Sequence, residues 1–229
     1  MIDDRILKLI SKEELNKIKA LNVLIVGVGG VGGYALEALV RSGVLNITIV
    51  DKDKIDESNL NRQIISLKSN ITKSKVEEAK NRCLNIRDNA NIIAIEKFLT
   101  KDNLVEILNN NKYDYIIDAC DNVTVKIELI NYAFNNNINI ISCLGTGNRF
   151  NPEELTITTL DKTFNDPLAK VMRKLLKERN IKKKVTVCWS KESPLKINSR
   201  TPGSMMFVPA SAGILIASYI IRKELQKWA

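Results

Sequence analysis

The chain contains no histidine. That excludes a Ser-His-Asp or Cys-His site, and zinc held by imidazole. Any chemistry must proceed without imidazole as its base. The four cysteines are Cys83, Cys120, Cys143 and Cys188, and no two stand close enough for a zinc ribbon or a redox CxxC pair. Isolated thiols suit a reducing compartment, so a cytoplasmic location is expected. Aromatics are scarce, at 5%, while Ile, Asn and Lys are abundant, which reads as a genomic bias. The opening "MIDDRILKLISKEEL" has early acids and no apolar core of a signal peptide, so no secretory leader is expected. Long apolar runs are also missing. Met205–Ile221 is 17 residues without a charge, flanked by Arg200 and Arg222, and is broken by Pro209, Ser211, Gly213 and Ser218. A buried strand and helix fit it better than membrane insertion.

What is present is charge, unevenly placed. The net charge is +9 over 229 residues. Between Leu168 and Arg200 stand eleven Lys or Arg against two acids, Glu178 and Glu192, so this one segment carries the whole excess. An excess confined to one stretch suits a polyanion partner, and the bland alternative is a solvated helix face.

The periodicity alternates between strand and helix. Helical patterns are expected at Arg5–Ala20, Val31–Ser42, Thr72–Leu84, Asp102–Asn109 and Val123–Asn135. Strands are expected at Asn22–Val26, Asn46–Val50, Asn91–Glu96, Tyr113–Asp118 and Asn139–Cys143. This order predicts an α/β fold, a Rossmann-like, mostly parallel sheet with helices on both faces. After Gly145 the pattern changes. Leu155–Asp161 alternates like an antiparallel strand and Pro167–Glu178 is an amphipathic helix. Val185–Cys188 is a short strand, and the tail from Thr201 reads as a strand and a closing helix. One domain, 1–229, is expected, with a core at 21–145 and an elaborated back half at 146–229.

The first strand runs into Gly27-Val28-Gly29-Gly30-Val31-Gly32, a G-x-G-x-x-G between a strand and a helix. Gly27 permits the tight turn, Gly29 and Gly30 leave room for a phosphate, and Gly32 lets helix approach strand. Asp51 ends the next strand, nineteen residues beyond Gly32, where a ribose hydroxyl would be met. This much suits NAD and ATP alike. The residues that follow favour a triphosphate. "DKDKIDESNLNRQ" supplies Asp53, Asn59, Arg62 and Gln63, Lys75 opens a helix, and "IIDACDN" brings Asp118, Asp121 and Asn122 to the end of the fourth strand. A triphosphate needs more cations and a metal than a pyrophosphate bridge does. Arg62 and Lys75 can supply the charge and Asp121 can hold Mg²⁺.

These motifs together resemble the ubiquitin-activating-enzyme-like, ThiF-type adenylation superfamily. The resemblance implies ATP and Mg²⁺ as cofactors. Asp51 would meet the ribose, Asp53, Asn59, Arg62, Gln63, Lys75 and Asn122 would surround the nucleotide, and Asp121 would hold the metal. "RILKLIS" is similar to the family's N-terminal segment, which implies a homodimer with Arg5 reaching into the partner's site. The back half lacks the paired cysteines of sulfur-carrier adenylyltransferases. Its "GTGNRFNPEELTITTLDKTFNDPLAKVMRKLLKERNIKKKVTVCWSKESP" instead resembles the tRNA threonylcarbamoyladenosine dehydratase branch. The partner so implied is a tRNA bearing threonylcarbamoyladenosine, with a sulfur-transfer protein as a further candidate partner. Arg149, Lys170, Arg173, Lys174, Lys177, Lys182, Lys183, Lys184 and Lys191 become candidate tRNA contacts. A carboxylate is already ionised at pH 7, so its attack on ATP needs no base, which fits the missing histidine. Cys120 and Cys143 are expected to be packing residues on apolar strands, and Cys188 to be in the core or partly buried. Three other readings stay open: a sulfur-carrier adenylyltransferase, an NAD-dependent redox protein, and a non-catalytic nucleotide sensor.

Overall fold

The computed structural model describes residues 2–109, 111–199 and 201–227. Arg200, one of the eleven segment cations, lies outside them. Seven strands form one sheet: β1 (Asn22–Val26), β2 (Asn46–Val50), β3 (Asn91–Ile95), β4 (Tyr115–Asp118), β5 (Asn139–Cys143), β6 (Leu155–Thr159) and β7 (Thr186–Ser190). Their order is β3-β2-β1-β4-β5-β7-β6, with every pairing parallel except the antiparallel β6–β7 edge. The order reverses between β1 and β4. That is the switch point where open α/β sheets bind ligands, at the carboxyl ends of the strands.

Alternation along the strands sorts the core into two layers. Val23 and Ile25 of β1 face one cluster with α1 (Lys12–Ala20), α2 (Gly32–Arg41), α3 (Lys75–Ile86) and α7 (Phe207–Glu224). Leu24 and Val26 face the other, with α4 (Leu104–Leu108), α5 (Val123–Asn135) and α6 (Pro167–Glu178). Both faces of the sheet are covered, so Val23–Val26 of β1 and Tyr115–Ile117 of β4 are continuous apolar runs. Each fully buried aliphatic side chain contributes ~1.5–3 kcal/mol.

Local chemistry explains several boundaries. Ser11 caps α1 and makes a reciprocal capping box with Glu14. The expected single helix from Arg5 therefore divides into a short 3₁₀ turn, Ile6–Lys8, and α1. Asn122 caps α5, and Asp166 followed by Pro167 starts α6.

The tail corrects one expectation: no strand precedes the closing helix among the described residues. Pro202 removes a ladder donor, and Gly203 instead exchanges hydrogen bonds with Asn148. The charge-free stretch becomes mostly α7. It crosses α2 at Gly213, where a Cβ would stand 2.3 Å from the carbonyl oxygen of Val31. Among the described residues no helix is long and apolar enough to cross a membrane.

Candidate active site

A cavity of about 290 Å³ opens at the switch point, over the carboxyl ends of β1, β2 and β4. The glycine turn forms its floor. Gly27 has φ +89°, and a Cβ there would lie 2.7 Å from the carbonyl oxygen of Ala119. At Gly32 a Cβ would fall 1.8 Å from the carbonyl oxygen of Gly27, so α2 can start here only without a side chain. The turn must hug both β4 and α2, and this is what brings backbone N–H groups up to the cavity.

Asp51 sits just past β2. One carboxylate oxygen accepts the amide of Val28 at 2.9 Å and the other accepts the amide of Asp53 at 2.9 Å. Each oxygen keeps a second lone pair for a ligand hydroxyl. The chain then folds back through Arg62 to Lys75 at the start of α3. Lys75 is 5% exposed and its ammonium donates to Asp53 at 3.1 Å. Arg62 is half-buried against Gly30, and its Nη1 donates to the Ser58 carbonyl at 2.7 Å and to Asn61 Oδ1 at 2.9 Å. From the opposite wall Asp121 presents an exposed carboxylate in the turn between β4 and α5. Gly27, Gly29, Gly30, Asp51, Asp53, Arg62, Lys75, Asp121 and Asn122 therefore line one cavity.

Other expected site residues lie elsewhere. Asn59 is buried behind the cavity wall, where its Oδ1 accepts the Asp56 amide and caps a 3₁₀ turn. Gln63 is buried beneath Gly29, its Nε2 3.6 Å from where a Gly29 Cβ would be, and its Oε1 accepts no bond among the described residues. Arg5 is exposed on the N-terminal segment and does not line the cavity. Asn122 lines the cavity, but its side-chain oxygen is committed to the Val125 amide as a helix cap.

The structure adds groups that motif reading passed over. Lys97, Phe98 and Leu99, just beyond β3, form one wall, and Lys52 lies over the Phe98 ring at 4.5 Å. Position alone could have flagged them, because β3 is parallel and its carboxyl end must face the same crevice. Below the cavity lies a buried ion pair. The Lys126 ammonium on α5 donates to both Asp118 oxygens, at 3.0 and 3.1 Å, and to the Cys143 carbonyl at 2.8 Å. Ser142 also donates to Asp118. Burial alone would lower the Lys126 pKa, but the Asp118 carboxylate, with Cys120 and Cys143, outweighs it and holds the ammonium above its ordinary value.

Cys120 corrects a smaller expectation. It lies in the turn after β4, lines the cavity and donates its thiol to Asp118 at 3.1 Å. Burial and then the Asp118 charge raise its pKa, so it remains a thiol and a poor nucleophile. Cys188 is buried, and contact with Cys143 together with burial raises its pKa as well. Among the described residues no three or more His, Cys, Asp or Glu gather as a metal cluster. The donor set still suits Mg²⁺, which takes one or two protein carboxylates and fills its shell with phosphate oxygens and water.

Arg149 is corrected outright as a tRNA contact. It is buried, paired with Asp166 at 2.8 Å, and donates to the carbonyls of Ser190 (2.8 Å) and Glu192. Its task is to tie the end of β7 to the start of α6. Arg173 is half-buried and braces the Leu160 and Thr163 carbonyls, both at 3.1 Å. Lys170, Lys174, Lys177, Lys182, Lys183, Lys184 and Lys191 are exposed.

Comparison with known proteins agrees with this geometry. The model of the ThiF family matches residues 3–227. A Bacillus subtilis tRNA threonylcarbamoyladenosine dehydratase is 36% identical over 234 residues, covering 95% of this chain and 92% of that protein. The Escherichia coli protein of that name is 31% identical over 249 residues, covering 97% and 92%. The crystal structure of the Escherichia coli enzyme in complex with ATP superposes with a TM-score of 0.90 at 32% identity, covering 96% of this chain and 92% of that one.

Proposed function

The chain belongs to the ThiF family, and from that premise we propose that it is an ATP-dependent tRNA threonylcarbamoyladenosine dehydratase. It closes the threonylcarbamoyl side chain of adenosine 37 into a ring. The observation that carries this reading is the convergence of Arg62, Lys75 and Asp121 on one cavity over the glycine turn. Near-full-length similarity to dehydratases selects the branch.

In the first step the side-chain carboxylate attacks the α-phosphorus of ATP. A carboxylate–phosphorus bond forms and the bond to pyrophosphate breaks. Negative charge grows on the departing pyrophosphate, and Arg62 and Lys75 face it. Before ATP arrives Lys75 is neutralised by Asp53, so the nucleotide takes over a cation that is already positioned. Asp121 would hold Mg²⁺, which neutralises phosphate charge when bound. In the second step the neighbouring ureido group attacks the activated carbonyl, loses its proton and expels AMP. One carboxylate oxygen leaves with AMP, which makes the net change a dehydration. Neither step asks for an enzyme thiol or imidazole. The protein supplies alignment and charge.

Arg5 acts across a homodimer in this reading. It is exposed on a segment that also exposes Leu7 and Leu9, and it does not reach the cavity of its own chain. Light scattering should give a dimer, and Arg5→Ala should lower turnover. A fully active monomer overturns that part.

The central test incubates the full chain with ATP and threonylcarbamoylated tRNA. AMP should form in step with the cyclised nucleoside, read by mass spectrometry under conditions that keep the ring closed. ATP–pyrophosphate exchange driven by a protein with a Gly-Gly tail, and not by tRNA, would instead favour a sulfur-carrier adenylyltransferase.

A further inference from the structure

A second concavity lies where β7 begins, toward the amino-terminal ends of the parallel strands and so at the opposite end of the sheet from the adenylation cavity. Its volume is about 480 Å³. Arg173, Lys177, Lys182, Lys183 and Lys184 line it, over a buried floor of Leu160, Leu176 and Val185, and among the described residues the one acid on its wall is Asp161. Five cations against one anion repel each other in the free protein. That arrangement is costly unless a polyanion offsets it.

The topology fixes its position. The cap of α6 is Asp166, whose Oδ2 is 3.8 Å from where a Gly145 Cβ would be, one residue from the cavity-lining Thr146. The helix then runs 12 residues, about 18 Å, away from the cavity. Residues 179–184 turn back, and β7 starts at Thr186 at the far end of the strands from the cavity. Along α6, Lys170, Lys174 and Lys177 recur at i, i+4 and i+7 and are all exposed. They form a basic stripe that starts near the adenylation cavity and ends in the cleft. Among the described residues no hydrogen bond or ion pair engages the side-chain ammonium of Lys170, Lys177 or Lys182. Lys174 makes one long, exposed contact with Glu178, at 3.8 Å.

We propose that the sugar–phosphate backbone of the tRNA follows this α6 stripe away from the reacting adenosine and that the cleft grips its phosphates. The proposal rests on the tRNA reading above. The grip positions the substrate and carries no sequence information. A membrane surface, by contrast, is flat and cannot follow a convex helix into a concavity. Arg173 serves as a brace: by holding the Leu160 and Thr163 carbonyls it fixes the loop that shapes the cleft. Lys183 is similarly steadied by the Phe134 carbonyl at 3.2 Å.

The test uses the full chain and a triple variant, Lys177→Gln, Lys182→Gln and Lys184→Gln, with the corresponding triple Lys→Arg variant as the charge-preserving control. Binding of full-length tRNA and of a short anticodon loop that ends before the cleft is read by fluorescence anisotropy across salt. For full-length tRNA the log–log salt slope of the Gln variant should flatten by about 1–3 units. The Arg variant should keep the wild-type slope, and the short loop should bind both variants as it binds wild type. Wild-type binding with an unchanged slope in the Gln variant overturns the cleft while leaving the dehydratase reading intact. If wild type binds no tRNA at all, the dehydratase reading itself fails. A Gln variant that loses binding to phosphatidylserine vesicles but not to tRNA assigns the cleft to membranes and also overturns the proposal.

Discussion

Replacing Lys126 with methionine should remove the charge that balances Asp118. Lys126 is 1% exposed and Asp118 is fully buried. The substitution nearly conserves the side chain's length and leaves a carboxylate with no counter-charge in the core. Breaking one side of such a pair costs about 3–5 kcal/mol, because the remaining ion stays desolvated. In a domain of this size each kcal/mol moves the melting temperature by about 2–4 °C, so a fall of roughly 6–20 °C is expected. Adding Asp118→Asn to the same chain removes the stranded charge. It should return a coupling of about 1–3 kcal/mol relative to the sum of the single changes. Thermal melts of wild type, both single variants and the double variant measure this directly. If the double variant is as unstable as the two single losses added, the pair is not coupled and the electrostatic account is wrong.

The pH dependence of the same comparison has a definite sign. The Lys126 pKa is raised in the folded state. Its contribution is fully present below the unfolded lysine value of about 10.4. It is lost only as pH climbs through the higher folded value. The melting gap between wild type and Lys126→Met should therefore narrow as pH rises above about 10.4.

Three further outcomes follow from the site. Asp121→Asn and Arg62→Ala should each raise the barrier by about 3 kcal/mol or more in single-turnover assays. Their melting curves should stay close to wild type, and near-normal rates would show the residues are misplaced. Gly32→Ala must push a Cβ off the Gly27 carbonyl. It should cost about 3 kcal/mol or more in urea unfolding and weaken nucleotide binding, and a wild-type midpoint would contradict the close approach. Arg149→Met should destabilise by about 3–5 kcal/mol by stranding Asp166, with Arg149→Lys recovering only part because an ammonium cannot fork to several carbonyls. A melt unchanged in Arg149→Met would return this arginine to the pool of surface contacts.

The elements that sequence located well are those with local punctuation. β1, β2, α5, β5 and α6 begin and end where expected. Asn122 and the Asp166–Pro167 pair are caps that can be read in one dimension, and buried parallel strands are short apolar runs between turns. The strand expected in the tail failed because its apolar residues are real but its Pro202 and Gly203 outvote them. Lys126 was invisible for a different reason. In "VTVKIELINYAF" a lone lysine reads as the solvent side of a helix. The available signal was Asp118, a carboxylate ending a fully buried strand, which demanded a partner nearby.

Arg149 and the lysines of α6 separate along the same physical line. A guanidinium has a planar fork of donors and is weakly hydrated, so it can be buried if carbonyls and a carboxylate surround it. Arg149 was absorbed in that way, while Arg173 is held half-buried by the Leu160 and Thr163 carbonyls. Lysine ammoniums hydrate strongly and stay on the surface unless paired, and the segment's lysines did so. A count of positive charge cannot tell these fates apart, because it weighs every cation equally. The distinction matters for the substrate. Arginines holding β7, α6 and the Leu160 loop make the back half stiff, and the exposed lysines are then displayed on a fixed frame. With no histidine to move protons, rate enhancement rests on holding a carboxylate in line with a phosphorus atom, and a misplacement of about 1 Å can cost on the order of 100-fold. A long polyanion gripped about 18 Å away by cations on that frame is well suited to such alignment, since its own backbone carries the register back to the reacting adenosine.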